Sequence, residues 1–154
     1  MASKLAVQMF TLREFTKTET GFAEALEKIA AMGYTAVQLS AVGCMNGPEP
    51  DVNAARAREL LDANGLTCVA THRGWDALAN NTDAEIEFHQ TLGCDFAAIG
   101  GLAPQYRDAG EQGYRKFVVD SKPVLEKLAA AGIAFGYHNH AHEFFRIAPG
   151  PKTA

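Results

Sequence analysis

Hydrophobic positions along the chain follow two alternating rhythms. In the first, apolar residues recur every three or four positions: Phe22, Leu26, Ile29 and Ala30 form one stripe, and Glu24, Glu27 and Lys28 take the wet side. In the second, short apolar runs such as Ala36–Leu39 and Phe96–Ile99 read as strands. One repeated step joins the two rhythms. Glu27–Gly33 leads into Ala36–Leu39, Glu59–Gly65 into Leu66–Ala70, Thr91–Gly93 into Phe96–Ile99, and Glu126–Gly132 into Ile133–Tyr137. Each step is a helix end, a glycine suited to the left-handed conformation that a Cβ disfavours, and then a strand.

With an opening strand over Leu5–Leu12, helices and strands alternate strictly, which predicts a parallel α/β sheet with right-handed crossovers. Thr82 and Glu85 stand in capping-box spacing ahead of Ile86, so Asn80-Asn81-Thr82 reads as a helix start rather than a glycosylation site. Asp51 is placed to start the helix over Val52–Asn64, and Pro123 predicts a kink, or a break near Ser121, within the helix over Gly113–Ala131. Two architectures fit: a single partial TIM-barrel domain over residues 1–154 with five strands and four helices, or an open five-stranded doubly wound sheet. From Gly33 to Gly132 the step averages 33 residues. Eight such units need about 264 residues, near the ~250 typical of a TIM barrel. The barrel reading therefore makes the chain its amino-terminal portion, ending in the loop composition Pro149–Ala154. It also leaves exposed edges at the first and fifth strands, to be covered by a homo-oligomer or by a second polypeptide completing the barrel.

The chain is 47% hydrophobic and 21% charged, with mean hydropathy -0.11, so one ordinary core is within its means. A formal charge of -4 offers no basic surface for a phosphate backbone, which argues against nucleic acid as a partner. No apolar run is long enough for a membrane span, and Met1–Leu5 lacks a signal core, so a cytoplasmic location is expected. Cys44, Cys68 and Cys94 form no C-x-x-C pair and lie far apart in sequence, which suits three reduced thiols, buried or half-buried.

In parallel α/β folds the working residues gather at the carboxyl ends of strands. Those ends are polar here: Gln8 and Phe10 after the first strand, Gln38 and Ser40 on the second, His72 and Trp75 after the third, Gly100-Gly101 after the fourth. The fifth runs on into His138-Asn-His140-Ala-His142-Glu143, three of the chain's five histidines and a carboxylate in six positions. Imidazole and carboxylate are ligands for divalent metals, and His-x-His on a strand directs both rings to one face. Glu143 has the opposite parity and joins them only if the strand stops or bulges near Ala141. The same cluster also reads as a hydrogen-bonded polar cap, Trp75 as a packed residue or a sugar platform, Arg13 as a surface charge or an anion clamp, and helical His89 as structural. Phosphate-loop and nucleophile-elbow motifs are absent.

Leu5–Arg13, Gly33-Tyr34 leading into Val37–Leu39, and Tyr137–Phe144 together resemble the xylose isomerase-like barrel family, which includes sugar phosphate isomerases, epimerases and inosose dehydratases. The resemblance implies a divalent metal (manganese, zinc, cobalt or magnesium) at the barrel mouth, with Glu143 at a ligand position. It implies catalytic roles for His138, His140 and Glu143, with Gln8, Phe10, His72 and Trp75 lining a sugar or cyclitol. The family often has a glutamate where this chain has Gln38. The implied reaction is proton abstraction beside a carbonyl, leading to isomerisation, epimerisation or, in the dehydratase alternative, loss of water. A non-catalytic sugar- or metal-binding module that self-associates is the reading from the other class.

Overall fold

The computed structural model describes residues 5–144. The expectations for Met1–Lys4 and for the Pro149–Ala154 loop lie outside the described residues. Five strands, β1 (Val7–Gln8), β2 (Ala36–Leu39), β3 (Thr67–Arg73), β4 (Phe96–Ile99) and β5 (Ala134–Tyr137), form one parallel sheet in the order β1-β2-β3-β4-β5. Every strand pairs with its neighbour in sequence, so the chain winds in one direction only. A doubly wound sheet reverses its strand order at a switch point. No reversal occurs here, which excludes that alternative and leaves the first five strands of a TIM barrel.

The repeated glycines behave as the pattern predicts. Gly33, Gly65, Gly93 and Gly132 have φ of 88°, 65°, 72° and 77°. The residue after each sends its N–H back to a carbonyl five positions earlier: Tyr34 to Ile29, Leu66 to Leu61, Cys94 to His89 and Ile133 to Leu128. These are Schellman closures, which satisfy helix-end carbonyls and turn the chain into the next strand. Helices α1 (Glu19–Ala31), α2 (Ala54–Ala63), α4 (Thr82–Leu92) and α6 (Gly110–Ala130) are the four the repeat foresees. Their apolar stripes bury Phe22, Leu26 and Ile29 against Val37 and Leu39 at one end of the sheet. At the other end Phe117, Val124 and Leu128 pack with Ala97 and Ile99.

Two short helices were not foreseen: α3 (Trp75–Asn80) and α5 (Pro104–Arg107) follow β3 and β4 as parts of longer strand-to-helix connections. The first strand is shorter than Leu5–Leu12, because Met9–Leu12 tightens into a 3-10 turn that buries Met9. Asn53, not Asp51, caps α2, its Oδ1 accepting from the Arg56 N–H at 2.9 Å. The capping box at Thr82 is not formed: its hydroxyl donates to the Leu78 carbonyl, and the Glu85 carboxylate turns to Arg73. Pro123 neither breaks nor splits α6, which runs unbroken over 21 residues. The carbonyl deprived of a donor belongs to Val119, a residue 62% exposed, so the gap in the hydrogen-bond ladder lies on the solvent side of the helix.

Candidate functional site

A cavity of about 890 Å³ opens at the carboxyl ends of the five strands. Gln8, Phe10, His72, Trp75, His138 and His140, all expected at a site from the sequence, line it. β3 presents His72 beside Ser40, which directly follows β2; Ser40 Oγ and His72 Nδ1 share a hydrogen bond of 3.0 Å. Ser40 is buried, and the next residue, Ala41, sits at φ 54°, a strained left-handed position that fixes the turn beneath the cavity. The His72 and His138 rings meet edge to face at 5.0 Å, and those of His138 and His140 lie 4.8 Å apart. Gly100 and Gly101 border the rings: a Cβ on Gly100 would stand 3.4 Å from His72 Nδ1 and one on Gly101 3.5 Å from His140 Cε1, ordinary contact distances, and it is the φ of 151° at Gly101 that favours glycine there.

The histidines converge by a route the period of a strand does not describe. β5 ends at Tyr137, so His138 and His140 lie in the connection that follows, and Ala141–Phe144 forms a 3-10 turn. The strand thus stops before Ala141, but the turn brings Glu143 elsewhere. Its carboxylate accepts from the Tyr137 hydroxyl and from the His140 backbone N–H, each at 2.6 Å, and Glu143 is not among the residues lining the cavity. Among the described residues, no three His, Cys, Asp or Glu side chains are grouped to hold a metal ion. These residues by themselves do not fit a divalent metal. Trp75 borders the cavity but is only 5% exposed; its ring packs against Phe117 at 4.8 Å and its N–H donates to Tyr106, so it is no open stacking platform. Arg13 folds back over Phe10, donating to its carbonyl and stacking on its ring.

Burial lowers the pKa of His72, and the neighbouring His138 and His140 push it down further, so its imidazole is neutral at neutral pH and able to take a proton. His89 lies behind β3 with no exposure. Its Nδ1–H donates to the Glu85 carbonyl at 2.6 Å, which leaves Nε2 to accept from the Thr71 hydroxyl at 2.7 Å. It braces α4 against the strand that carries His72. Ser40, named in the sequence at the carboxyl end of the second strand, also lines the cavity, as do Ala41 and Arg107, which the pattern of the sequence does not mark.

No family model matches the chain, and no curated protein matches it. Solved structures do match in fold. A sugar phosphate isomerase/epimerase from Parabacteroides distasonis superposes over 100% of this chain and 57% of its own, with a TM-score of 0.70 and 18% identity. An L-ribulose 3-epimerase matches over 87% of this chain and 48% of its own, at TM-score 0.61 and 12% identity. A family 2 AP endonuclease from Brucella melitensis matches over 88% and 55%, at TM-score 0.58 and 19% identity. The likeness is one of fold, a (β/α) TIM barrel, and the chain spans about half the length of these three structures.

Proposed function

We propose that the cavity binds a keto sugar or cyclitol and that its histidines move a proton on the carbon beside the carbonyl, the elementary step of isomerisation, epimerisation or dehydration. The observation that carries this reading is the contact chain of three imidazoles, His72, His138 and His140, in one cavity at the carboxyl ends of the strands. His72, neutral and held by Ser40, takes the proton; His138 or His140 returns one to the other face or to the oxygen. Gln8 and Arg107 supply donors for hydroxyl groups. No step is routed through a metal. As part of the same proposal, a second copy or a second polypeptide covers β1 and β5, each of which pairs with one strand only among the described residues.

One observation favours a second reading, a binding module without turnover: among the described residues the only carboxylate lining the cavity is Asp76, which accepts from Gln105 at 3.2 Å. An endonuclease role, suggested by one fold relative, is opposed by the net charge of -4. The test is incubation with ketohexoses and cyclitols in deuterium oxide, read by NMR. Deuterium entering the carbon beside the carbonyl, and lost in His72→Gln, is the expected result. Shifts of the histidine signals without exchange mean the binding module; neither shift nor exchange overturns both readings.

A further inference from the structure

Two of the three cysteines, far apart in sequence, are neighbours in the fold. β3 carries one extra residue between its pairings Val37↔Cys68 and Gln38↔Ala70. Thr71 points to the helix side, where it meets His89. Three positions earlier, Cys68 would by strict alternation face the other way, and the bulge turns it back to the helix side. Cys94 stands just before β4, the strand that pairs with β3, and the two thiols share the core that holds Leu66 and Leu92. Carried back three residues, the Thr71↔Ala97 pairing of β3 and β4 sets Cys68 across from Cys94; the Cys68 thiol donates to the Ala70 carbonyl and the Cys94 thiol to that of Phe96, and the influence of each thiol on the other raises the pKa of Cys68 and lowers that of Cys94. Both also line a second cavity of about 430 Å³ at the amino ends of the strands, opposite the histidine site.

We propose that Cys68 and Cys94 are a reversible oxidation site, closing to an intramolecular disulfide on reaction with hydrogen peroxide. Adjacent strands lie about 4.8 Å apart, within the Cα separation of about 4.4–6.8 Å that a disulfide spans. The cavity admits a molecule as small as peroxide. Cys94 sulfur attacks one peroxide oxygen; the O–O bond breaks, and the leaving hydroxide takes the thiol proton as water. The Cys68 sulfur then attacks the Cys94 sulfenic acid, the S–O bond breaks, and a second water leaves. Two thiols lose two electrons and two protons, and one peroxide becomes two waters. Cys44 lies in the same core but does not line that cavity, and burial pushes its pKa up to about 11, so it is the internal control.

The experiment is peroxide treatment of the native chain, alkylation of the remaining thiols and peptide mapping by mass spectrometry. The expected product has lost two hydrogens, carries a Cys68–Cys94 link that dithiothreitol reverses, and keeps Cys44 alkylated, with the pair reacting at least about tenfold faster than Cys44. In Cys68→Ser, a dimedone adduct accumulates on Cys94; in Cys94→Ser, none forms on Cys68. Links to Cys44, links between chains, or equal reaction of all three thiols overturn the proposal. Repeating the mapping in urea, where the preference for this pair disappears, ties the result to the fold.

Discussion

His72 owes its character to three neighbours. Burial and the charges of His138 and His140 hold its pKa below the ordinary 6.5. Replacing His138 with Gln removes one of those charges, so the His72 titration midpoint, followed by its ring proton in NMR, is expected to rise; a midpoint that stays put denies the coupling. His89 works in stability instead. Its neutral form is the one the fold uses, burial lowers its pKa, and the unfolded chain binds more protons below 6.5. Its contribution is therefore complete above pH 6.5 and fades as pH falls towards the lowered folded value. The urea midpoint should drop between pH 7.5 and 5.5, and His89→Leu should flatten that drop while costing about 1–3 kcal/mol at pH 7.5 through the unpaired Thr71 hydroxyl.

Among the elements, α4 and α5 show how connections place the site. Glu85 on α4 takes both arms of Arg73 at 2.6 Å each, with the Glu85 side chain 7% exposed, and the guanidinium also lies over Phe88. Arg73 is the residue after His72, so this pair locks the end of β3. Glu85→Ala leaves a part-buried cation unpaired and should cost about 3 kcal/mol, read by chemical denaturation. The α5 to α6 junction is tighter still. A Cβ on Gly113 would lie 1.8 Å from the Tyr106 carbonyl oxygen, a backbone atom that cannot step aside. Gly113→Ala should push α5 off α6 and loosen the Tyr106, Trp75 and Phe117 cluster, lowering stability by about 2 kcal/mol and altering near-ultraviolet circular dichroism. Gly136→Ala is the contrast: its Cβ would meet the Ala98 Cβ at 3.3 Å and, more closely, the ring of Phe96, which is 37% exposed and can swing outward, so a smaller loss is expected.

Across the whole molecule, the sheet leaves Leu5, Phe15 and Met32 exposed near β1, at 77%, 70% and 74%, and Val118 and Val119 exposed on α6. An apolar groove of about 410 Å³ runs between β1 and α1. These surfaces and the singly paired β1 and β5 lead to an expected outcome in sedimentation velocity: a species heavier than the 16.5 kDa chain, shifted towards that mass by Met32→Lys. A single 16.5 kDa species at all concentrations would remove self-association from the proposed function. None of the described helices is long and apolar enough to cross a membrane.

The alternating elements and their handover glycines were legible in the sequence, because hydrophobic period and left-handed helix ends are local properties. So was the position of the histidine-lined cavity, since strand ends in a parallel sheet are where side chains converge. The winding of the sheet was legible through the family resemblance and not through the periodicity: barrel and doubly wound sheet share one local grammar and differ only in which strands pair, and the observed order is the barrel's. Glu143 takes its ligand position from the family resemblance; what only the tertiary structure shows is the turn in which it accepts from Tyr137 and from the His140 backbone. Trp75 looked equally suited to sugar or core, and packing against Phe117 decided for the core. Cys68 and Cys94 stand apart in sequence, and the pairing of β3 with β4 brings both to one cavity. Local propensity determined what each segment is; only the long-range pairing of β strands and helix faces decided which side chains meet.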